Sequence, residues 1–182
     1  MTAGWPPTPV AVLTPVLPGR EVDLVGHLGD MREEPSPFAA LESTHVARLV
    51  VIGQVRTIAG MKKVKRPLRM RYLLFTAVAN SPADVFLEEL RSTSGPAVDE
   101  VWNHCVRYPG HRDETRFHEY MRQNSVDAQQ TFRAYDATVA EVRTALALRR
   151  RHLSFARKAQ ALPSSEIHEA FLKHFGLSAG GD

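Results

Sequence analysis

Two segments, HVARLVVIGQV (residues 45–55) and RYLLFTAVAN (71–80), limit what this chain can fold into more than anything else in it. Both are rich in the β-branched and aromatic residues that suit strands. Both are apolar at successive positions rather than alternate ones. A strand at either place therefore carries apolar side chains on its two faces. A sheet made from them has two faces to bury, and one layer of helices covers only one.

The other elements are read around these two. PVAVLTPV (9–16) is a short strand whose prolines suit a strand start or a sheet edge. In GREVDLVGHLGDMRE, Val22, Val25, Leu28 and Met31 recur every three residues and mark a helix face. EPSPFAAL is a loop, and GMKKVKRPLRM is a basic connector between the two clear strands. Ser81 is expected to cap a helix, with Pro82 at its first position and Asp84 near the positive end of its dipole. DVFLEELRS forms that helix, and AVDEVWNHCV is a second helical piece after Gly95-Pro96. ETRFHEYMRQ is a third helix, and AQQTFRAY (128–135) reads as a last strand. Thr138 and Glu141 have capping-box spacing and open a helix that runs to Ala161, ahead of Pro163. SSEIHEAFLKHF is a closing helix with Gly176 as its stop.

The order strand, helix, strand, strand, helix, strand is the ferredoxin-like βαββαβ plan. The expected fold is α+β: an antiparallel sheet with a helical C-terminal extension. Residues 1–8 would be a loose arm, 9–136 the ferredoxin-like domain and 137–182 the extension.

Composition narrows the function. The net charge of +3 permits an anionic ligand without demanding one. The basic residues of the connector and of the stretch 149–158 lack the aromatic interleaving of a single-strand platform, so no nucleic-acid partner is expected. One cysteine cannot form an intrachain disulfide. The N-terminus has no basic n-region and no unbroken apolar core, and no run is long enough to span a membrane. A cytoplasmic protein is expected.

The pairing of THVARLVVI with YLLFTAVAN, followed by a helical stretch ending in NHCVRYPG, resembles the dimeric α+β barrel superfamily. The resemblance covers roughly residues 8–136 and rests on element order and short phrases. It includes dye-decolourising peroxidases, chlorite dismutases and cofactor-free monooxygenases. It implies a homodimer in which two sheets face each other around a cavity that takes a small molecule. The haem-peroxidase phrase GxxDG is absent here.

The candidate chemical groups are few. His104 and Tyr108 lie one turn apart in VWNHCVRYPGHRDE and are expected to move protons. Arg48, deep in an apolar strand, is expected to hold an anionic or enolate oxygen. Structural roles stand beside each: a helix-end histidine for His104 and a salt bridge for Arg48. Cys105 follows Val101 by one turn and is expected to pack rather than react. No HExxH, CxxC, phosphate loop or nucleophile elbow occurs. Three readings result. The first is a small-molecule enzyme using the barrel cavity, an oxidoreductase, oxygenase or acid–base isomerase or cyclase working through His104, Tyr108 and Arg48, its cofactor either none or haem. The second is a haem protein with an axial ligand from His104, His118 or His152. The third is a non-catalytic binding protein that uses the basic connector.

Overall fold

The computed structural model describes residues 7–31, 36–55, 66–127 and 137–177. Strand β1 is Thr8–Pro15, helix α1 Glu21–Asp30, strand β2 Thr44–Val55 and strand β3 Arg66–Ala79. Helices α2 (Ala83–Trp102), α3 (Glu114–Gln123), α4 (Val139–Ala159) and α5 (Ser164–Phe175) follow. A single 3₁₀ turn, Pro37–Ala40, lies within the segment read as a loop. None of the described helices is long and apolar enough to cross a membrane.

The sheet is antiparallel in the order β1-β3-β2. β3 is central. It pairs with β1 from Thr8↔Ala79 to Pro15↔Tyr72, and with β2 from Thr44↔Ala79 to Val55↔Arg66. β3 begins at Arg66, so the end of the basic connector is strand. The expected strand at 128–135 lies outside the described residues. Just before it, Leu13 N donates to Asn124 O and Val126 N donates to Ala11 O, both at 2.9 Å, along the edge of β1 away from β3. The same edge is held further along, where Leu17 N donates to His104 O and Val106 N to Pro15 O.

Alternation along the strands sets the core. Val10, Val12, Thr14 and Val16 are buried, as are Leu73, Phe75, Ala77 and Ala79. Ala47, Leu49 and Val51 of β2 join the same face. Helices α1, α2 and α3 cover it through Leu24, Phe86, Leu90, Trp102 and Phe117, each fully buried. Phe75 sits at the centre, with ring centroids 5.5 Å from Trp102, 5.7 Å from Phe38 and 6.3 Å from Phe86. Two local readings are corrected. The buried face of α1 is Leu24, with Leu28 and Met31 packed behind it, while Val22 and Val25 are exposed. A helix repeats every 3.6 residues, so a strict three-residue spacing drifts off its face. The N-cap of α2 is Pro82, not Ser81. The break expected at Gly95-Pro96 is a kink, with Ser94 out of helical geometry (φ −117°, ψ 15°).

The chain divides into two compact units, Met1–Val139 and Ala140–Asp182. The second is essentially the α4–α5 hairpin. Its interior is aromatic: Phe155 packs on Phe171 at 5.4 Å and on Phe175 at 6.1 Å. Gly176 ends α5 in the left-handed conformation, φ 65°, as the sequence indicates.

Candidate functional site

Three places carry chemical groups, two on the side of the sheet covered by α1, α2 and α3 and one on its other face. The first is the corner VWNHCVRYPGHRDE, where α2 ends and the chain turns back toward α3. Asp99, on the last turns of α2, organises it. Its Oδ1 accepts from Tyr108 Oη at 2.7 Å and from His111 N at 2.8 Å, and its Oδ2 lies 2.6 Å from His111 Nδ1. Burial pulls the Asp99 carboxyl upward, but the Tyr108 and His111 hydrogen bonds outweigh it and hold its pKa below the ordinary value. Burial, then the Asp99 carboxylate, pushes the Tyr108 phenol far up, so it stays neutral. The Tyr108 ring packs edge-on against Tyr120 and Phe117.

The corner extends toward α3 through a second ionic group. Arg91 Nη1 donates to His111 O, and its Nη2 and Nε bind Glu88 at 2.6 and 2.8 Å. Glu88 Oε2 also meets His118 Nε2 of α3 at 2.9 Å. Arg91, then His118, draws the Glu88 carboxyl down to about 2. The His111 ring lies flat against the Gly95 backbone, where a Cβ would stand 2.7 Å from its Cγ. Asp99, Tyr108, His111, Arg91, Glu88 and His118 are thus each bonded to one another or to the backbone. Its evident work is to fasten α2, the turn and α3 together.

His104 faces away from Tyr108, toward α1. Its ring stacks at 6.4 Å from His27, and Nδ1 of His104 and Nε2 of His27 are both buried without a hydrogen-bond partner. Burial, then the charges of Arg20 and His27, lowers the His104 pKa, against a smaller opposing pull from Asp23. The sign is that of a neutral group: folding favours the unprotonated ring, so its contribution is intact above the ordinary value of 6.5 and is lost as pH falls through the folded pKa. His104→Gln is therefore expected to flatten the loss of stability as pH falls below about 6.5, measured by urea unfolding at each pH. An equal slope in both proteins would remove His104 as the cause. Cys105 points into the core and accepts from Thr14 Oγ1 at 3.3 Å. Burial raises its pKa to about 11 despite that bond, so it is a packing residue.

The second place is a groove of about 570 Å³ between α1, the 3₁₀ turn and the edge of β2. Among the described residues Leu28, Met31, Phe38, Leu49 and Val51 line it, and Ser36 is the one lining residue with a hydroxyl. That lining suits an apolar group.

The third place is the sheet face turned away from α1, α2 and α3. Arg48 is exposed there, paired in register with Thr76. Val46 and Val50 flank it on its own strand, exposed by 53% and 40%. Leu74 joins Leu13 on one side and Val50 on the other, and Tyr72 joins Pro15 and Ile52. Arg48 thus stands among apolar neighbours on this face.

The structure thus places His104 and Tyr108 on the helical side of the sheet and Arg48 on the other. It does not bring the three together. Sequence reading missed Asp99, Glu88 and His27, which organise the two histidine clusters. Only the i, i+3 spacing of Glu88 and Arg91 signals any of them. Among the described residues no cluster of three or more His, Cys, Asp or Glu side chains could hold a metal ion. Comparison with protein-family models, with curated proteins and with solved structures finds no match.

Proposed function

We propose that two copies of this chain stack their open sheet faces and enclose an apolar chamber for a small organic anion, held by Arg48. The supporting observation is the asymmetry of β3. Its odd residues, Leu73, Phe75, Ala77 and Ala79, are sealed under helices, while Tyr72, Leu74 and Val78 form the middle of a face whose edge residues Val46 and Val50 stand in solvent. Sheets packed face to face leave about 10 Å between them, filled by such side chains. In this reading a fourth strand lies beyond β1, on the edge where Asn124 and Val126 already bond to Leu13 and Ala11. That completes the ferredoxin-like plan and the dimeric α+β barrel.

Inside the chamber Arg48 presents a fixed fork to a carboxylate or enolate oxygen, and the surrounding valines and leucines strengthen that attraction by excluding water. Tyr72 and Thr76 supply the hydroxyls on the same face. Acid–base conversion or cofactor-free oxygenation of the bound anion is the chemistry this arrangement favours. His104 and Tyr108 act from behind the sheet, as part of the scaffold.

Light scattering and a fluorescent probe with an apolar body and a sulfonate, anilinonaphthalene sulfonate, test the reading together. The wild-type chain is expected to be a dimer and Val50→Asp a folded monomer. Arg48→Ala is expected to stay dimeric and bind the probe about 10-fold more weakly, the loss of one charge-assisted contact worth about 1.4 kcal/mol. A wild-type monomer at tens of micromolar, about the range where a specific dimer persists, would defeat the proposal. Unchanged probe binding by Arg48→Ala would defeat the anion site. Added haem is expected to leave the absorption spectrum that of free haem plus protein, whereas a shifted Soret band would put the haem reading first.

A further inference from the structure

The α4–α5 hairpin has an inside and an outside. Phe155, His152 and Arg151 turn toward α5: the His152 ring packs tilted against Phe175 at 4.7 Å, Arg151 Cζ lies 5.1 Å over the Phe175 ring, and Arg151 Nη2 donates to His174 O at 2.9 Å. At about 100° per residue, the opposite side of α4 carries Leu146, Arg150, Leu153, Ser154 and Arg157. Leu146 and Leu153 are exposed by 47% and 50%. Arg150, Leu153, Ser154, Arg157 and Lys158 line a shallow groove of about 430 Å³. The sequence has no acidic residue from Val142 to Ser165. Arginine and leucine therefore each recur at a seven-residue interval on one stripe, the spacing of a helix–helix seam.

We propose that this stripe is a docking surface for an acidic amphipathic helix of a partner protein. Such a helix meets both halves of the pattern. Its apolar residues cover Leu146 and Leu153, and its carboxylates, one heptad apart, take the guanidinium forks of Arg150 and Arg157. Other occupants meet one half only. A second copy of the stripe would set arginine against arginine. A phosphate backbone would use the arginines and leave the leucines in water. An anionic membrane asks for one broad apolar face, whereas Leu148 lies on a different side of the helix from Leu146 and Leu153.

The test uses the full chain and a labelled synthetic helix of about 20 residues with leucine at one heptad position and glutamate beside it, read by fluorescence anisotropy. Binding is expected at about 10–100 µM, and a scrambled peptide of equal composition should bind at least about 10-fold more weakly. Arg150→Glu with Arg157→Glu should weaken binding about 10-fold or more, and Leu146→Ser with Leu153→Ser about 5-fold. Lys173→Glu, the same kind of charge change on α5, should leave it within about 2-fold. Circular dichroism confirms that each variant keeps its helices. Equal binding of the scrambled peptide, or no binding of either, overturns the proposal without any variant. So does a pattern in which the arginine variant fails and the leucine variant does not. That pattern marks a general anion surface, and duplex DNA and phosphatidylserine vesicles run alongside would tell phosphate backbone from lipid.

Discussion

Asp99→Ala is expected to lower the unfolding free energy by about 3 kcal/mol, because it leaves three partly buried donors without their acceptor. Those donors are Tyr108 Oη, His111 N and His111 Nδ1. The loss propagates, since the His111 carbonyl also receives Arg91, and Arg91 organises Glu88 and His118. Asp99→Asn keeps one oxygen as an acceptor and loses the charge, so it should cost less than the alanine variant. Urea unfolding measures both. The pH dependence adds a signature. The Asp99 pKa is lower folded than unfolded, so its charge stabilises the fold above the ordinary value of 3.8, and that contribution disappears as pH falls through the folded pKa. The gap between wild type and Asp99→Asn should therefore narrow below about pH 4. A loss under about 1 kcal/mol for Asp99→Ala would mean that the corner relaxes around the gap and that Asp99 is not its organiser.

The same corner shows what the sequence can and cannot convey. Helix α3 is legible as ETRFHEYMRQ because its start and end are local: Asp113 caps it by accepting from Arg116 N, as a residue of that type does. The end of α5 at Gly176 is local in the same sense. Strands β2 and β3 are legible because a continuous apolar run depends only on their own residues. The partners of His104 and Tyr108 are not local. They depend on which elements pack beside the end of α2: the His104 ring meets His27 of α1, and the Tyr108 hydroxyl, just after the positive-φ residue Arg107, meets Asp99, although the two stand one turn apart in sequence. For Arg48 the strand parity was readable, and which parity faces the helices was not, because both faces of β2 are apolar. Long-range pairing decides it, through the register Leu49↔Phe75 and Arg48↔Thr76.

That decision can be tested on two adjacent residues of the central strand. Phe75→Ala is expected to cost about 4 kcal/mol, since it opens a cavity among Phe38, Phe86 and Trp102 that rigid ring neighbours cannot refill. Leu74, one position earlier, points to the open face between Leu13 and Val50. Leu74→Ala removes a comparable apolar side chain, yet with α1, α2 and α3 all on the other face the cost to the isolated chain should stay below about 1.5 kcal/mol. The two variants also separate folding from association. At concentrations low enough to hold the chain as a monomer, only Phe75→Ala should unfold early in urea. At high concentration the deficit of Leu74→Ala should stay constant if that face is bare and enlarge if it is covered by a second copy, because binding to the folded state adds to apparent stability in proportion to the logarithm of concentration. An enlarged deficit is the outcome required by two sheets packed face to face. A deficit that stays constant over about a hundredfold range of concentration would leave Leu74 facing solvent and Arg48 without a chamber to guard.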